Sequence, residues 1–485
     1  MIKSLIQQWF GKPGASKKPR FGQRRVIAAS THGIDPQWVD ERAWTVVRTL
    51  QERGYTAYIV GGAVRDLLLG LKPKDFDVAT DATPEQVKAC FRRAFIIGKR
   101  FRIVHVVFGR GRDHEVIEVS TFRAHLDSQE AEQVSGNERT SKKALSQMTH
   151  AVGASGRVLR DNVWGPQDED ATRRDFTVNA MYYDPSQGEL IDYHHGFEDA
   201  AKRVLRMIGE PRARYREDPV RIIRAVRFAA KLSRLGFTLE ARTAKPLKAM
   251  LNLLDDVPQS RMFDEMLKLL QTGHALASVA QLRALGLSQG IYPLLDLVVA
   301  RADDPFVQVA LSDTDRRVGE GKPVAPSFLL ACVLWEDVRE GWRAHAAHMA
   351  SFPALQAAIE EVFNARIGDV SGRGKLGADM REIWTMQPRF DKRSGSAPFG
   401  LVEQPRFRAG FDFLCLRAEV GEVDIALADW WEDFHLADDE TRLALLQAVK
   451  PPPRAARGEG EARKRPRRRR KPAARSGDAS DKLEP

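Results

Sequence analysis

A chain of 485 residues, 43% of them apolar, exceeds what one ordinary core organises and predicts two to four domains. The net charge of +11 is concentrated at one end: eleven Lys/Arg against two Glu between Pro451 and Arg475 carry +9 of it, so the body is nearly neutral and a polyanionic partner is expected to meet a tail. Three widely spaced cysteines, Cys90, Cys332 and Cys415, argue against a disulfide framework or a zinc site, and Met1–Phe10 shows neither a cleavage pattern nor a membrane-length apolar run; the expectation is a cytoplasmic protein that does not engage a membrane.

Residues 1–33, rich in Gly, Lys and Arg, read as a flexible basic segment ahead of the fold. Asp35-Pro36 is a helix entry, and Val39, Ala43, Val46, Val47 and Leu50 recur at helical spacing until Gly54. Tyr55–Val60 reads as a strand, Gly61-Gly62 as a tight turn with bare backbone N–H groups, and Ala63–Leu69 as a short helix closed by Gly70. Such a helix start suits a phosphate. After the basic connector Lys72-Pro73-Lys74, a second strand places Asp75 and Asp77 at i and i+2, on one side, as two hard oxygen ligands able to bridge two Mg²⁺ ions. A lone Gly-Gly is usually only a turn, and a lone Asp-x-Asp usually a solvated strand; their order and spacing give the pair its weight.

Thr83-Pro84-Glu85-Gln86 is a capping-box helix start, and Phe101–Phe108 and Glu115–Phe122 read as strands, so the front of the chain is a small α+β head. Glu118 alternates with packed neighbours and is a possible third carboxylate, weighed against an ordinary exposed glutamate. Residues 125–156, polar and aperiodic, predict a mobile surface loop. Beyond it, Arg173 and Arg174 offer guanidinium forks to a triphosphate, and Asp175 either holds ribose hydroxyls or orders the arginines. A helix starting at Asp218 would set Asp218 and Arg221 on one face, as acceptor and donor edges for a nucleobase; the plainer alternative is a helix cap with a salt-bridging arginine. From Asp218 onward the apolar period is helical to about Val449, and the tail with Arg467, Arg468, Arg469, Arg470 and Lys471 lacks the apolar residues to fold. The predicted organisation is a head at 34–182, a neck with base-recognition and RNA-binding helices at 183–275, a helical body at 276–450 and a disordered Arg-rich tail at 451–485.

Taken in order, the stretches VGGAVRD from Val60, DFD from Asp75, IEVSTFR from Ile117, RRDFTVN from Arg173 and RYREDPVR from Arg214 resemble the bacterial poly(A) polymerases, relatives of the class II tRNA nucleotidyltransferases that add CCA. Weaker likeness continues through Phe407–Asp412 and Leu416–Val420. The resemblance implies a polymerase-β-like head with a mixed sheet, followed by an all-helical neck and body. It implies catalytic metal ligation by Asp75 and Asp77, an active-site role for Asp175, a third carboxylate at Glu118, and base recognition by Glu217, Asp218 and Arg221. Gly61, Gly62, Arg65 and Arg174 would complete the nucleotide site, although Ala63 stands where relatives often have Gly. The expected activity is template-independent addition of AMP from ATP to RNA 3′ ends with two Mg²⁺ ions, promoting RNA processing and decay, with the RNA-decay machinery as a further partner. The segment from Leu159 to Gly165 looks like the poly(A) type, and an Arg-rich tail suits varied RNA backbones. CCA addition to tRNA is the alternative; a non-catalytic RNA-binding scaffold would be expected only had the carboxylates been lost.

Overall fold

The computed structural model describes residues 21–98, 102–109, 114–124, 132–134, 150–153, 158–161, 163–367 and 373–449. The head is built on an eight-stranded sheet. Its strands are β1 (Arg25–Ala28), β2 (Ala57–Val60), β3 (Asp77–Thr80), β4 (Ala94–Ile97), β5 (Ile103–Phe108) and β6 (Glu115–Thr121), joined by β10 (Met181–Asp184) and β11 (Glu189–Asp192). They lie in the order β1-β11-β10-β2-β3-β6-β5-β4. β3 and β6 run parallel; the other neighbours are antiparallel.

Helix α1 (Glu41–Glu52) starts where the Asp40 side chain accepts from the Arg42 N–H, and buries Ala43, Val46, Val47 and Leu50. That stripe packs with Ile59, Val78, Val104 and Val119 on one sheet face, each large side chain contributing about 1.5–3 kcal/mol of burial. On the opposite face, Val60, Ala79, Phe122, Tyr182, Ile191 and Tyr193 form a second cluster with Ala171. The period-2 alternation thus makes Val78 a core residue and leaves Asp77 exposed.

Several expected boundaries shift. The basic N-terminal segment is not wholly outside the fold: Arg25–Ala28 pairs with Glu189–Asp192 as an edge strand, and the buried Ile27 anchors it. A head ending at 182 would cut β10, because the hairpin to β11 keeps the chain in the sheet to Asp192. Within 125–156, short strands β7 (Glu132–Val134) and β8 (His150–Gly153) join β9 (Val158–Asp161) in a small sheet whose backbone pairing needs no apolar alternation. The neck also holds one parallel pairing, β12 (Val204–Leu205) with β13 (Thr238–Leu239). The remaining described residues to Ala448 are mostly helical, around one core running from Phe176 and Tyr215 to Trp384 and Phe413, and a second around Phe390, Trp431 and Phe434. No described helix is long and apolar enough to cross a membrane. The tail residues Arg467 to Lys471 lie outside the described residues.

Candidate active site

Gly61 ends β2 with φ of 76°, a conformation that side chains rarely adopt, and turns the chain into α2 (Gly62–Leu68). A Cβ at Gly62 would come within 3.3 Å of the Arg65 Nη2. Ala63, by contrast, sits in the helix without positive φ, so the turn tolerates it. Arg65 is buried: its Nη1 donates to Asn179 Oδ1 at 2.6 Å, and its Nε and Nη2 donate to Asp66 Oδ1 at 2.9 and 2.7 Å. It lines the cavity, yet its donors tie α2 to the turn at 177–179.

Asp77 opens β3 beside Val60 of β2 and Glu118 of β6. Asp75 lies just before the strand rather than on it, and the two carboxylates flank the buried Phe76 and line one cavity. Desolvation raises the Asp77 carboxyl to about 6, Glu118 and Asp75 add to the rise, and Arg174 opposes it. Burial and the neighbouring carboxylates thus outweigh Arg174 at Asp77. Among the described residues no cluster of three or more His, Cys, Asp or Glu could cage a metal. Two hard carboxylates beside a phosphate-binding wall nevertheless fit Mg²⁺, which commonly takes one or two carboxylates and leaves its other positions to substrate phosphates and water. Glu118 is not brought into the cavity: it stands in register with Asp77, but its Oε1 lies 3.4 Å from His105 Nε2 and it is no part of the lining.

The helix α3 (Pro84–Cys90) lies outside the lining; the facing wall comes from Arg173 at the end of α4 (Gln167–Arg173), the segment after it, Asp218 just past α5 (Pro211–Glu217), and α6 (Val220–Ser233). Arg174 donates to Asp170 Oδ2 at 3.1 and 3.3 Å and lies over the Tyr182 ring, 5.4 Å from its centroid. Asp175 is buried and committed: Oδ2 accepts from Arg224 Nε at 2.9 Å, and Oδ1 accepts from the Phe176 N–H at 2.9 Å and Asn179 Nδ2 at 3.5 Å. Burial would push its carboxyl up, but Arg224 overrides this and holds it at about 2. The structure therefore favours an ordering role for Asp175 over direct contact with ribose. Burial, Arg123, Arg221 and Arg214 together bring Arg173 down to about 9, against the pull of Glu217.

The base-recognition pair is arranged differently from expectation. Asp218 has extended φ and ψ of −143° and 93°, closes α5, and stands outside α6. Pro219 explains this, since its ring disfavours a helical conformation in the residue before it. Both carboxylate oxygens of Asp218 accept from Arg261, at 2.7 and 2.8 Å. Arg221 donates to Glu217 Oε2 and to the carbonyls of Arg214 and Arg173 at 2.9–3.1 Å. The two residues still line one cavity, as fixed groups on separate elements.

That cavity, of about 830 Å³, gathers Gly61, Gly62, Arg65, Asp75, Asp77, Arg174, Asp175, Asp218 and Arg221. Ten Arg/Lys and five Asp line it, an excess suited to a polyphosphate. Arg224, Arg227 and Lys231 extend Arg221 along α6 at i+3, i+6 and i+10. They were missed as site residues, although their three-to-four-residue spacing is visible in the sequence. Arg261 carried no comparable signal, because its partner lies 43 residues away.

Three family models match in succession: "Poly A polymerase head domain" over residues 57–206, "Probable RNA and SrmB- binding site of polymerase A" over 236–298, and "Polymerase A arginine-rich C-terminus" over 347–472. The chain is 40% identical to poly(A) polymerase I of Haemophilus influenzae over 441 residues, covering 89% of this chain and 92% of that protein. The CCA-adding enzyme of Geobacillus thermodenitrificans is 38% identical over 248 residues, covering 51% of this chain and 54% of its own. A solved tRNA-processing enzyme in its apo form shares the fold at a TM-score of 0.50 and 21% identity, over 84% of this chain and 98% of that one.

Proposed function

The chain belongs to the bacterial poly(A) polymerase family of nucleotidyltransferases, with the CCA-adding enzymes as more distant relatives. From that premise we propose that the cavity is where AMP is transferred from ATP to an RNA 3′ end. The observation that carries this is the opposition, across one cavity, of the carboxylates of Asp75 and Asp77 to an arginine-rich wall. Asp75 and Asp77 would hold two Mg²⁺ ions, which supply activation of the 3′-hydroxyl and charge stabilisation for the departing pyrophosphate. Gly61 and Gly62 let the backbone approach the nucleotide closely. Arg174, Arg224, Arg227 and Lys231 receive the triphosphate, and Asp175 keeps Arg224 in place. The reaction joins the 3′-oxygen to the α-phosphorus and breaks the α–β phosphoanhydride, so the residues need only position and neutralise.

Arg221 and Asp218 present the edge that selects the base. Glu217 and two carbonyls fix Arg221, and Arg261 fixes Asp218, which supports recognition of one base rather than the C-then-A alternation that CCA addition requires. RNA would be held by residues within 236–298 and by Arg467 to Lys471, and handed to the RNA-decay machinery. Incubating the full chain with an unstructured RNA and each nucleoside triphosphate singly tests the reading. Long products with ATP and little with CTP are expected; a reaction that only restores CCA on tRNA would replace it with the alternative.

A further inference from the structure

Strand register carries the row that begins at Asp77 across the whole outer part of the sheet. Asp77 pairs with Glu118 on β6, Glu118 with His105 on β5, and His105 with Phe95 on the edge strand β4. Neighbouring strands lie about 4.8 Å apart, so Phe95 stands roughly 14 Å from Asp77 along this row. The sheet face around it is open. Phe95 is 53% exposed, Ile97 on the same face of β4 is 42% exposed, and Ile103, Val107 and Val116 are also incompletely covered. The other face of these strands is packed through Val104, Val106, Ile117 and Val119. Proteins seldom leave an apolar edge strand bare, and such patches mark places where something docks.

We propose that this face, centred on Phe95 and Ile97, is the binding track for the single-stranded 3′-terminal segment of the RNA acceptor. The inference rests on the reading of Asp75 and Asp77 as the catalytic centre. The nucleotide cavity is walled by the β2 turn and the neck, and no residue of β4, β5 or β6 lines it. In-line displacement places the attacking 3′-oxygen opposite the departing pyrophosphate. With the triphosphate on the neck wall, the acceptor strand enters from the other side of Asp77, where β6, β5 and β4 lie. At a stacked rise of 3.4 Å, about four nucleotides span the distance from Asp77 to Phe95, and fewer do if the strand is extended. An aromatic ring on a sheet stacks any base, since every base has a π-face, and His105 adds a polar group beside it. Sequence-tolerant stacking is what an enzyme without a template needs from its acceptor site. Phosphate contacts made elsewhere would set overall affinity; this track would set the position of the last few nucleotides.

The test uses the full chain and oligoadenylate or mixed-sequence RNA. Phe95→Ala with Ile97→Ser should raise KM for RNA about 10-fold, the scale of one lost base–aromatic stack. KM for ATP and kcat at saturating RNA should hold, and Phe95→Trp should restore the RNA KM. RNA carrying 4-thiouridine two to five nucleotides from its 3′ end should photocrosslink to the peptide bearing Phe95, and RNA carrying it far upstream should not. Asp77→Asn should keep this crosslink while losing incorporation; incorporation surviving there with the crosslink intact would break the catalytic reading and spare the track. An unchanged RNA KM in the double variant, failure of Trp to rescue, or a crosslink indifferent to label position would each overturn the proposal and leave the patch to a protein partner.

Discussion

On the sheet wall of the cavity, burial and the neighbouring carboxylates of Glu118 and Asp75 lift Asp77 to about 6 against the pull of Arg174. On the neck wall, Asp175 is held at about 2 and the guanidinium groups around it are fixed by carboxylates and main-chain carbonyls. One wall awaits cations; the other is assembled before any ligand arrives. The difference follows from how each is built. Asp77 and the preceding Asp75 stand at the entry of a strand whose own hydrogen bonds are made within the ladder, and Arg174 only partly offsets the burial and neighbouring carboxylates that raise Asp77. The neck wall is built by elements that meet through their charged side chains, so a loss there costs structure as well as function.

The largest effect should come from the sheet wall. Asp77→Asn should lower incorporation by about 10³-fold or more, on the scale of lost transition-state electrostatics, with RNA binding retained. The same change should stabilise the metal-free protein near pH 7. A carboxyl raised from its ordinary 3.8 to about 6 makes the folded state bind more protons than the unfolded state in that window, so stability falls as pH rises through it. Melting temperatures of parent and Asp77→Asn should therefore separate above about pH 6 and converge below about pH 4. Adding Mg²⁺ should raise the melting temperature of the parent more than that of the variant. A variant no more stable than its parent at pH 7 would remove the claim that burial and neighbouring carboxylates disfavour the charged form of Asp77.

The neck wall should respond with the opposite sign. Asp175 is lowered to about 2, so its stabilisation is present above its ordinary 3.8 and is lost as pH falls through 2. Asp175→Ala leaves Arg224 without its carboxylate and should cost about 2–3 kcal/mol, less than a fully buried pair because Arg224 keeps some solvent. Adding Arg224→Met should recover part of that stability by denaturant titration without recovering activity. Full recovery of both would make the pair purely structural.

The two walls also differ in how much of them the sequence discloses. Gly61, Gly62, Asp75 and Asp77 lie within one strand–turn–helix–strand unit, where local periodicity decides which way a side chain points. The helical stripe from Arg221 to Lys231 obeys equally local rules, and only its functional weight was overlooked. A helix starting at Asp218 is not formed, because Pro219 disfavours a helical conformation in the residue before it, and Asp218 instead closes the preceding helix. Glu118 faces outward as its alternation predicts, but whether an outward side chain enters a cavity depends on what the neck covers. β1 escaped notice because four residues of an edge strand reveal themselves only through pairing with β11, more than 160 positions away.

The smallest predicted effect probes the part of the neck wall that we propose chooses the base. If Arg261 serves to hold Asp218, then Arg261→Ala removes the two-point grip on its carboxylate while leaving Arg221, Glu217 and the carbonyl anchors where they are. A less tightly oriented Asp218 can accept from the exocyclic amine of either adenine or cytosine. Discrimination between ATP and CTP should fall by about 10-fold, the worth of one well-placed hydrogen-bonding edge. The loss should appear mainly as a gain in CTP use, with RNA affinity unaltered, because Arg261 acts here through Asp218. The Arg261–Asp218 pair is only partly exposed, so some loss of melting temperature will accompany the change. Arg261→Lys separates the two causes: it restores a charge to hold Asp218 but not the two-point grip. Selectivity intermediate between parent and Ala, at a melting temperature near the parent's, would show that the fixed geometry of the edge, rather than charge or fold stability, sets base choice. Unchanged selectivity in both variants would mean that the neck wall selects through the shape of its cavity and that Arg261 is only a brace.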